Sequence, residues 1–243
     1  FGLVRNNITI STTTADEVIN FIVDNSDEFT SSTPPTPSDE VQFDDLFGSV
    51  SFSKDTRNRR IFASQGYLNS ISLEIFSGDL DFYKIRYLHR SAFALSENIT
   101  LAYRARIGFG DRYNKTTDLP FFEKFTSGGI RSVRGYDRNS LGPLDSQGNP
   151  FGGNLQVSTT VEILIPVESL GSSETFRLGV YFDAGNVFAD VNSFQSREIR
   201  QSVGLSAKWF SIIGPLEFSY AFPLNDEPSD DIRQFQFALG ATF

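Results

Sequence analysis

The chain of 243 residues carries a formal net charge of −9, with 39% hydrophobic residues, no cysteine and no methionine. Zero cysteine excludes a disulfide framework and any cysteine-ligated metal. The acidic balance argues against nucleic acid as a partner, and no apolar run approaches the roughly 18 residues of a membrane-crossing helix.

A β-barrel stays open, because its strands alternate lipid-facing and lumen-facing residues and average out in hydropathy. The 25 Phe and 8 Tyr would furnish aromatic girdles, as they would the core of a soluble sandwich.

In chain order, residues 1–10 read as the tail of a strand whose beginning is missing. Thr14 and Glu17 have the spacing of a capping box. Val18, Ile19, Phe21, Ile22 and Val23 follow as an apolar helical stripe, which predicts a short helix over about 15–24. Pro34, Pro35 and Pro37 keep residues 30–40 from being a strand interior. Helix and linker together predict one large external loop, with a helix docked on a partner as the rival reading.

From Val41 onward the chain becomes alternating segments divided by turns. Strands are predicted over about 42–53, 67–77, 80–95 and 99–110 and, after a long interruption, over about 155–165, 176–183, 199–209, 216–222 and 234–243. In the fourth, Leu101, Tyr103, Ala105, Ile107 and Phe109 share one face, and Arg104, Arg106 and Gly108 the other. About nine alternating positions is the length a tilted strand needs to cross a bilayer.

The polar faces mix charges with glycine and small residues, which suits a wet, crowded lumen. The connections at 77–79, 96–98 and 213–215 are short, and those at 11–40, 111–153 and 225–231 are long, the two-rim asymmetry of an outer-membrane barrel. The turn near 54–66 is longer than its short-rim place predicts. These features together predict an all-β, antiparallel transmembrane β-barrel.

Residues 119–142, LPFFEKFTSGGIRSVRGYDRNSLG, keep neither a helical nor a strand period. A long irregular loop is either functional or disordered, and its Phe and Tyr residues argue against disorder. Its glycines allow close or left-handed backbone, and its arginines need partners if buried. It reads as a plug folded into the lumen.

The motif Val133, Arg134, Gly135 and Tyr136, with PFFEKF before it at 120–125 and NSLGP after it at 139–143, resembles the loop-six signature of the BamA/TamA superfamily of outer-membrane barrels. The resemblance runs over nearly the whole chain and is weakest near its start. It implies a family barrel of about sixteen strands, of which this chain would be the C-terminal part with about nine to ten, lacking the first strands and the periplasmic POTRA domains.

It further implies an integral protein of the bacterial outer membrane that folds and inserts other barrels through a lateral seam, with no cofactor. Implied partners are outer-membrane lipids, unfolded outer-membrane protein clients and, through the absent periplasmic domains, the lipoproteins of the assembly machine. A translocation-assembly or two-partner secretion pore of the same superfamily is the first alternative, and a passive porin the second. The chain departs from the family at Ala63, where a proline often precedes the glycine of that turn.

Carried over from the superfamily, Arg134 would meet Glu162 and Asp183. The alternation agrees, since both carboxylates fall on the lumen phase of their strands. A buried charge needs a partner, and a guanidinium grips a carboxylate bidentately without deprotonating. The bland alternative is a set of solvated charges.

The final strand, with Phe235, Phe237, Leu239 and Gly240 leading to the terminal Phe243, resembles the β-signal of outer-membrane barrels, and in the family it borders the seam. Its bland reading is an ordinary last strand. His89, the sole histidine, reads as a strand-surface residue. The acidic loop at 225–231 reads as solvated rather than metal-binding. No GxSxG, P-loop or HExxH pattern is present, so nothing points to an enzyme.

Overall fold

The computed structural model describes residues 1–167 and 175–240. In chain order it contains β1 (Gly2–Thr9), the helix α1 (Asp16–Asn25), β2 (Glu40–Asp55), β3 (Gly66–Gly78), β4 (Phe82–Ala94) and β5 (Thr100–Arg112). Then follow β6 (Gly135–Tyr136), β7 (Leu155–Pro166), β8 (Phe176–Phe188), β9 (Arg200–Ser211), β10 (Gly214–Pro223), β11 (Ile232–Arg233) and β12 (Phe235–Leu239). The ten long strands form one antiparallel sheet in sequence order, while β6 and β11 pair only with each other. Among the described residues β1 and β12 are the edges of the main sheet.

The period-two pattern sorts the side chains onto two faces. Phe52, Ile71, Ile75, Ile107, Val180, Leu205 and Phe237 stand exposed on one face from β2 to β12. The other face buries Lys84, Glu162, Asp183, Ser206, Glu217 and Gln236. An exposed apolar band spread over a whole sheet, with its charges turned inward, is the arrangement of a wall between lipid and a polar lumen.

The rims depart from the sequence expectation in two places. The turn at 79–81 is short, yet it lies on the rim of the long loops, because it joins β3 to β4 one hairpin after the loop between β1 and β2. It needs no length of its own, since neighbouring segments cover it. Leu80 and Phe82 are wholly buried with Leu119 and α1, the Leu80 amide donates to Asp45 Oδ1 at 2.8 Å, and the Asp81 amide donates to Thr116 Oγ1 at 2.6 Å. On the opposite rim the long turn at 56–65 folds inward. Phe62, with φ of 51°, is buried beneath the Arg177 guanidinium of β8 at 4.9 Å, which accounts for the extra residues.

The apolar stripe of α1 docks on its own chain. Phe21 and Ile22 pack with Val41, Phe43, Phe76 and Leu119, and Phe21 meets the edges of Phe43 and Phe121 at 6.3 and 5.8 Å. The expected capping box does not form. The N-cap is Ala15, and the Thr14 hydroxyl accepts from the Ser11 amide instead. The free end of α1 is met from the plug loop: the Asp16 amide donates to Ser146 Oγ at 3.0 Å, and the Ser146 amide donates to Glu17 Oε2 at 3.0 Å. This is the reciprocal bonding of a capping box, supplied from 130 residues away.

Candidate functional site

The plug loop leaves β5 and returns at β7. A tight turn presents its tip: the Gly129 amide donates to the carbonyls of Val133 at 3.1 Å and Tyr136 at 3.0 Å. Gly135 has φ of 96°, and a Cβ there would lie 3.0 Å from the Ala221 side chain of β10, so conformation and space both require glycine. Val133 and Tyr136 are fully buried and cluster with Leu141.

Between them, Arg134 is 1% exposed and Asp183 is 0% exposed. Arg134 Nε donates to Asp183 Oδ2 at 2.7 Å and Nη2 to Oδ1 at 2.9 Å, while the Arg134 amide adds a third bond to Oδ2 at 3.1 Å. Its Nη1 reaches Glu162 Oε1 and Glu217 Oε1, each at 3.2 Å. The guanidinium carbon lies over Tyr181, 3.2 Å from the ring centroid, a cation–π contact shielded from water.

Lys208 Nζ completes the cluster at 2.8 Å from Glu162 and 3.4 Å from Glu217, and Ser206 Oγ donates to Glu162 Oε1 at 2.6 Å. Three carboxylates are thus faced by two cations. Glycines make the room. A Cβ at Gly179 would stand 2.8 Å from Glu162 Oε1, and one at Gly204 would stand 2.6 Å from Tyr181 Cζ. The arrangement can hold a loop tip rigidly.

The structure brings Arg134 together with Glu162 and Asp183. Sequence reasoning did not single out Glu217, Lys208 or Tyr181, although all three lie on the lumen phase that the alternation assigns. The register sets Glu217 directly opposite Lys208, a cross-strand pair that alignment of the two alternating segments could have found. Tyr136 donates from its hydroxyl to the Gln201 carbonyl at 3.3 Å. Burial and then the nearby Asp230 push its phenol up to about 12.

On the last strand, Phe235, Phe237 and Leu239 point outward, and Phe237 packs on Phe218 at 5.0 Å. Gly240, with φ of 75°, donates its amide to the Pro215 carbonyl at 2.8 Å. Phe243 lies outside the described residues. His89 shares the outward phase, with Nδ1 2.6 Å from Asn69 Oδ1. The acidic loop is tied down rather than free, since Arg200 holds Asp230 at 2.6 Å and Glu227 at 3.2 Å.

Residues 2–243 match the Omp85 superfamily domain. The chain is 32% identical over 226 residues to the outer membrane protein assembly factor BamA of Neisseria meningitidis serogroup B, a match covering 81% of this chain and 28% of that protein. It is 31% identical over 205 residues to the BamA of Nitratidesulfovibrio vulgaris, covering 80% of this chain and 25% of that one. The chain therefore spans about a quarter of the length of these curated relatives.

Its fold matches the crystal structure of BamA from Haemophilus ducreyi lacking POTRA domains 1-3, with a TM-score of 0.85 at 22% identity, over 97% of this chain and 49% of that one. That likeness speaks for the fold, the wall of a barrel whose lumen holds the plug. With the domain match running over almost every residue, the chain belongs to the Omp85 superfamily of outer-membrane β-barrel proteins.

Proposed function

We propose that this ten-stranded wall is the C-terminal portion of the barrel of an outer membrane protein assembly factor, which folds other β-barrels and inserts them into the outer membrane. The observation that carries the reading is the anchored plug. Arg134, held by Asp183, Glu162 and Glu217, fixes the loop across the lumen. A lumen occupied by a rigid loop is poorly suited to passing bulk solute, which favours assembly over a porin. The identity to two BamA proteins favours assembly over a secretion pore of the same superfamily.

Chemically, the work is backbone hydrogen bonding at a sheet edge. Incoming strands would pair with an exposed edge as in strand addition, with no covalent step, no cofactor and no enzymatic turnover. The partners are unfolded outer-membrane protein clients, the surrounding outer-membrane lipids, and lipoproteins of the assembly machine bound through periplasmic domains. Arg134 with Glu162 and Asp183 serves as the anchor of the motif Val133–Tyr136.

The direct test uses the full-length protein in proteoliposomes supplied with an urea-unfolded barrel client. Folding of the client, read by its heat-dependent gel mobility, should run faster than in empty liposomes. Equal rates in the two would contradict the proposal.

A further inference from the structure

Beyond its anchor, the plug reaches the last strand. Gly135 pairs with Arg233 and Tyr136 with Ile232, as β6 and β11. The Asp137 amide donates to the Asp231 carbonyl at 2.7 Å, and the Arg233 guanidinium lies 3.0 Å from the Asp137 carboxylate. Within β12, the buried Gln236 donates from Nε2 to the Tyr136 carbonyl at 2.7 Å. Its Oε1 is buried with no partner among the described residues. The bond to the plug is therefore what offsets burying this amide at all.

A second route joins the same points. Gln236 stands opposite Ser219 in register, Ser219 Oγ lies 2.7 Å from the Tyr181 hydroxyl, and the Tyr181 ring supports the Arg134 guanidinium at 3.2 Å. Anchor, plug tip and last strand thus form one connected cluster on the lumen side. Among the described residues, β12 pairs with β10 over five residues in register, whereas β9 pairs with β10 over ten. One further backbone bond lies at each end of the β12 pairing, from the Ala221 amide to the Gln234 carbonyl and from the Gly240 amide to the Pro215 carbonyl.

We propose that the plug loop is a latch on the last strand, and that Gln236 is the positioning residue through which docking of Arg134 keeps β12 on β10. A strand held by few sheet bonds opens locally at low cost once its lumen-side support leaves. Release of the plug then bares the β10 backbone as a template. The inference rests on the assembly reading only for what that edge would receive.

The test is hydrogen–deuterium exchange on the full-length protein in lipid nanodiscs, comparing the amides of β12 with those of β7–β9. Gln236→Leu should speed exchange in β12 about five- to tenfold, the size of one lost hydrogen bond, and leave β7–β9 unmoved. Arg134→Lys should speed the same β12 amides, and the double variant should add less than about twofold, because both act through one latch.

Arg233→Ala, an exposed change that spares the core, should speed them by about twofold. Unchanged β12 exchange in Gln236→Leu, or in Arg233→Ala if the first variant does not fold, overturns the latch. So does a double variant whose effects multiply. No client enters the experiment, so its failure is distinguishable from a failure of the assembly reading.

Discussion

Arg134 and Asp183 meet by two parallel bonds, Nε to Oδ2 at 2.7 Å and Nη2 to Oδ1 at 2.9 Å, with both side chains essentially closed to solvent. A bidentate pair of this kind fixes orientation as well as distance. One residue on an otherwise irregular loop is thereby locked to one strand of the wall.

Removing the cation should be costly. Arg134→Ala leaves three buried carboxylates facing Lys208 alone, and the expected loss is about 3–5 kcal/mol. Asp183→Arg should be worse, since it sets two guanidinium groups against each other in the same pocket. Urea unfolding of the full-length protein in detergent, followed by gel mobility, ranks the variants. Wild-type stability in both would remove the anchor from the account.

The three carboxylates should not be equal. Asp183 accepts three bonds from Arg134, one of them from its backbone, whereas Glu217 accepts a single bond at 3.2 Å. Asp183→Asn is expected to cost about 2–4 kcal/mol and Glu217→Gln about 1 kcal/mol. The same unfolding measurement gives the order, and the reverse order would contradict this geometry.

Gly204 tests the packing beneath the guanidinium. The Cβ of Gly204→Ala would collide with the Tyr220 carbonyl oxygen of β10 and stand 2.6 Å from Tyr181 Cζ, so the strand pairing must give and the ring must shift from under Arg134. Overpacking costs about 1–3 kcal/mol, to which the lost cation–π contact adds about 1 kcal/mol. Near-ultraviolet circular dichroism should report the displaced tyrosine, together with a lower melting temperature.

On the outer rim, Ser146→Ala removes the acceptor at the start of α1 and should weaken that helix by about 1 kcal/mol. Faster proteolysis near residues 16–25, with unchanged barrel unfolding, is the expected signature. The contact should also depend on pH. The Ser146 amide holds the Glu17 carboxyl below its usual range. A depressed folded value means that this stabilisation is complete above the ordinary glutamate value of about 4.3 and fades as pH falls through the lowered one. Protease sensitivity of α1 should therefore rise only in acid; Ser146→Ala, which keeps the backbone amide, should retain that pH dependence, and Glu17→Gln should lose it.

Much of this fold is legible in sequence because a barrel wall writes itself as period two. The faces of β5, β7 and β8 follow residue by residue from that rule, and the lumen phase of Glu162 and Asp183 with them. What the pattern does not encode is contact across the lumen. Phe62 reaches Arg177 on a distant strand, and Ser146 caps a helix 130 residues earlier. Neither partner has a periodic relation to the other.

The capping box misled for a related reason. Thr14 bonds back to Ser11 in a local turn, a competition open to any threonine at a helix start. Lys208 and Glu217 were within reach, because each sits on a lumen phase and the register sets them opposite each other. Their place beside Arg134 depends on sheet curvature, which alternation does not specify.

The central claim is that the anchored wall belongs to a general assembly factor. Its most direct test is depletion of the full-length protein in its native cell, with quantitation of unrelated outer-membrane barrels. The account predicts that many barrels fall together, recover with the wild-type gene, and fail to recover with Arg134→Ala. Loss of a single exported protein, with all other barrels at normal levels, would contradict it and identify a dedicated secretion pore.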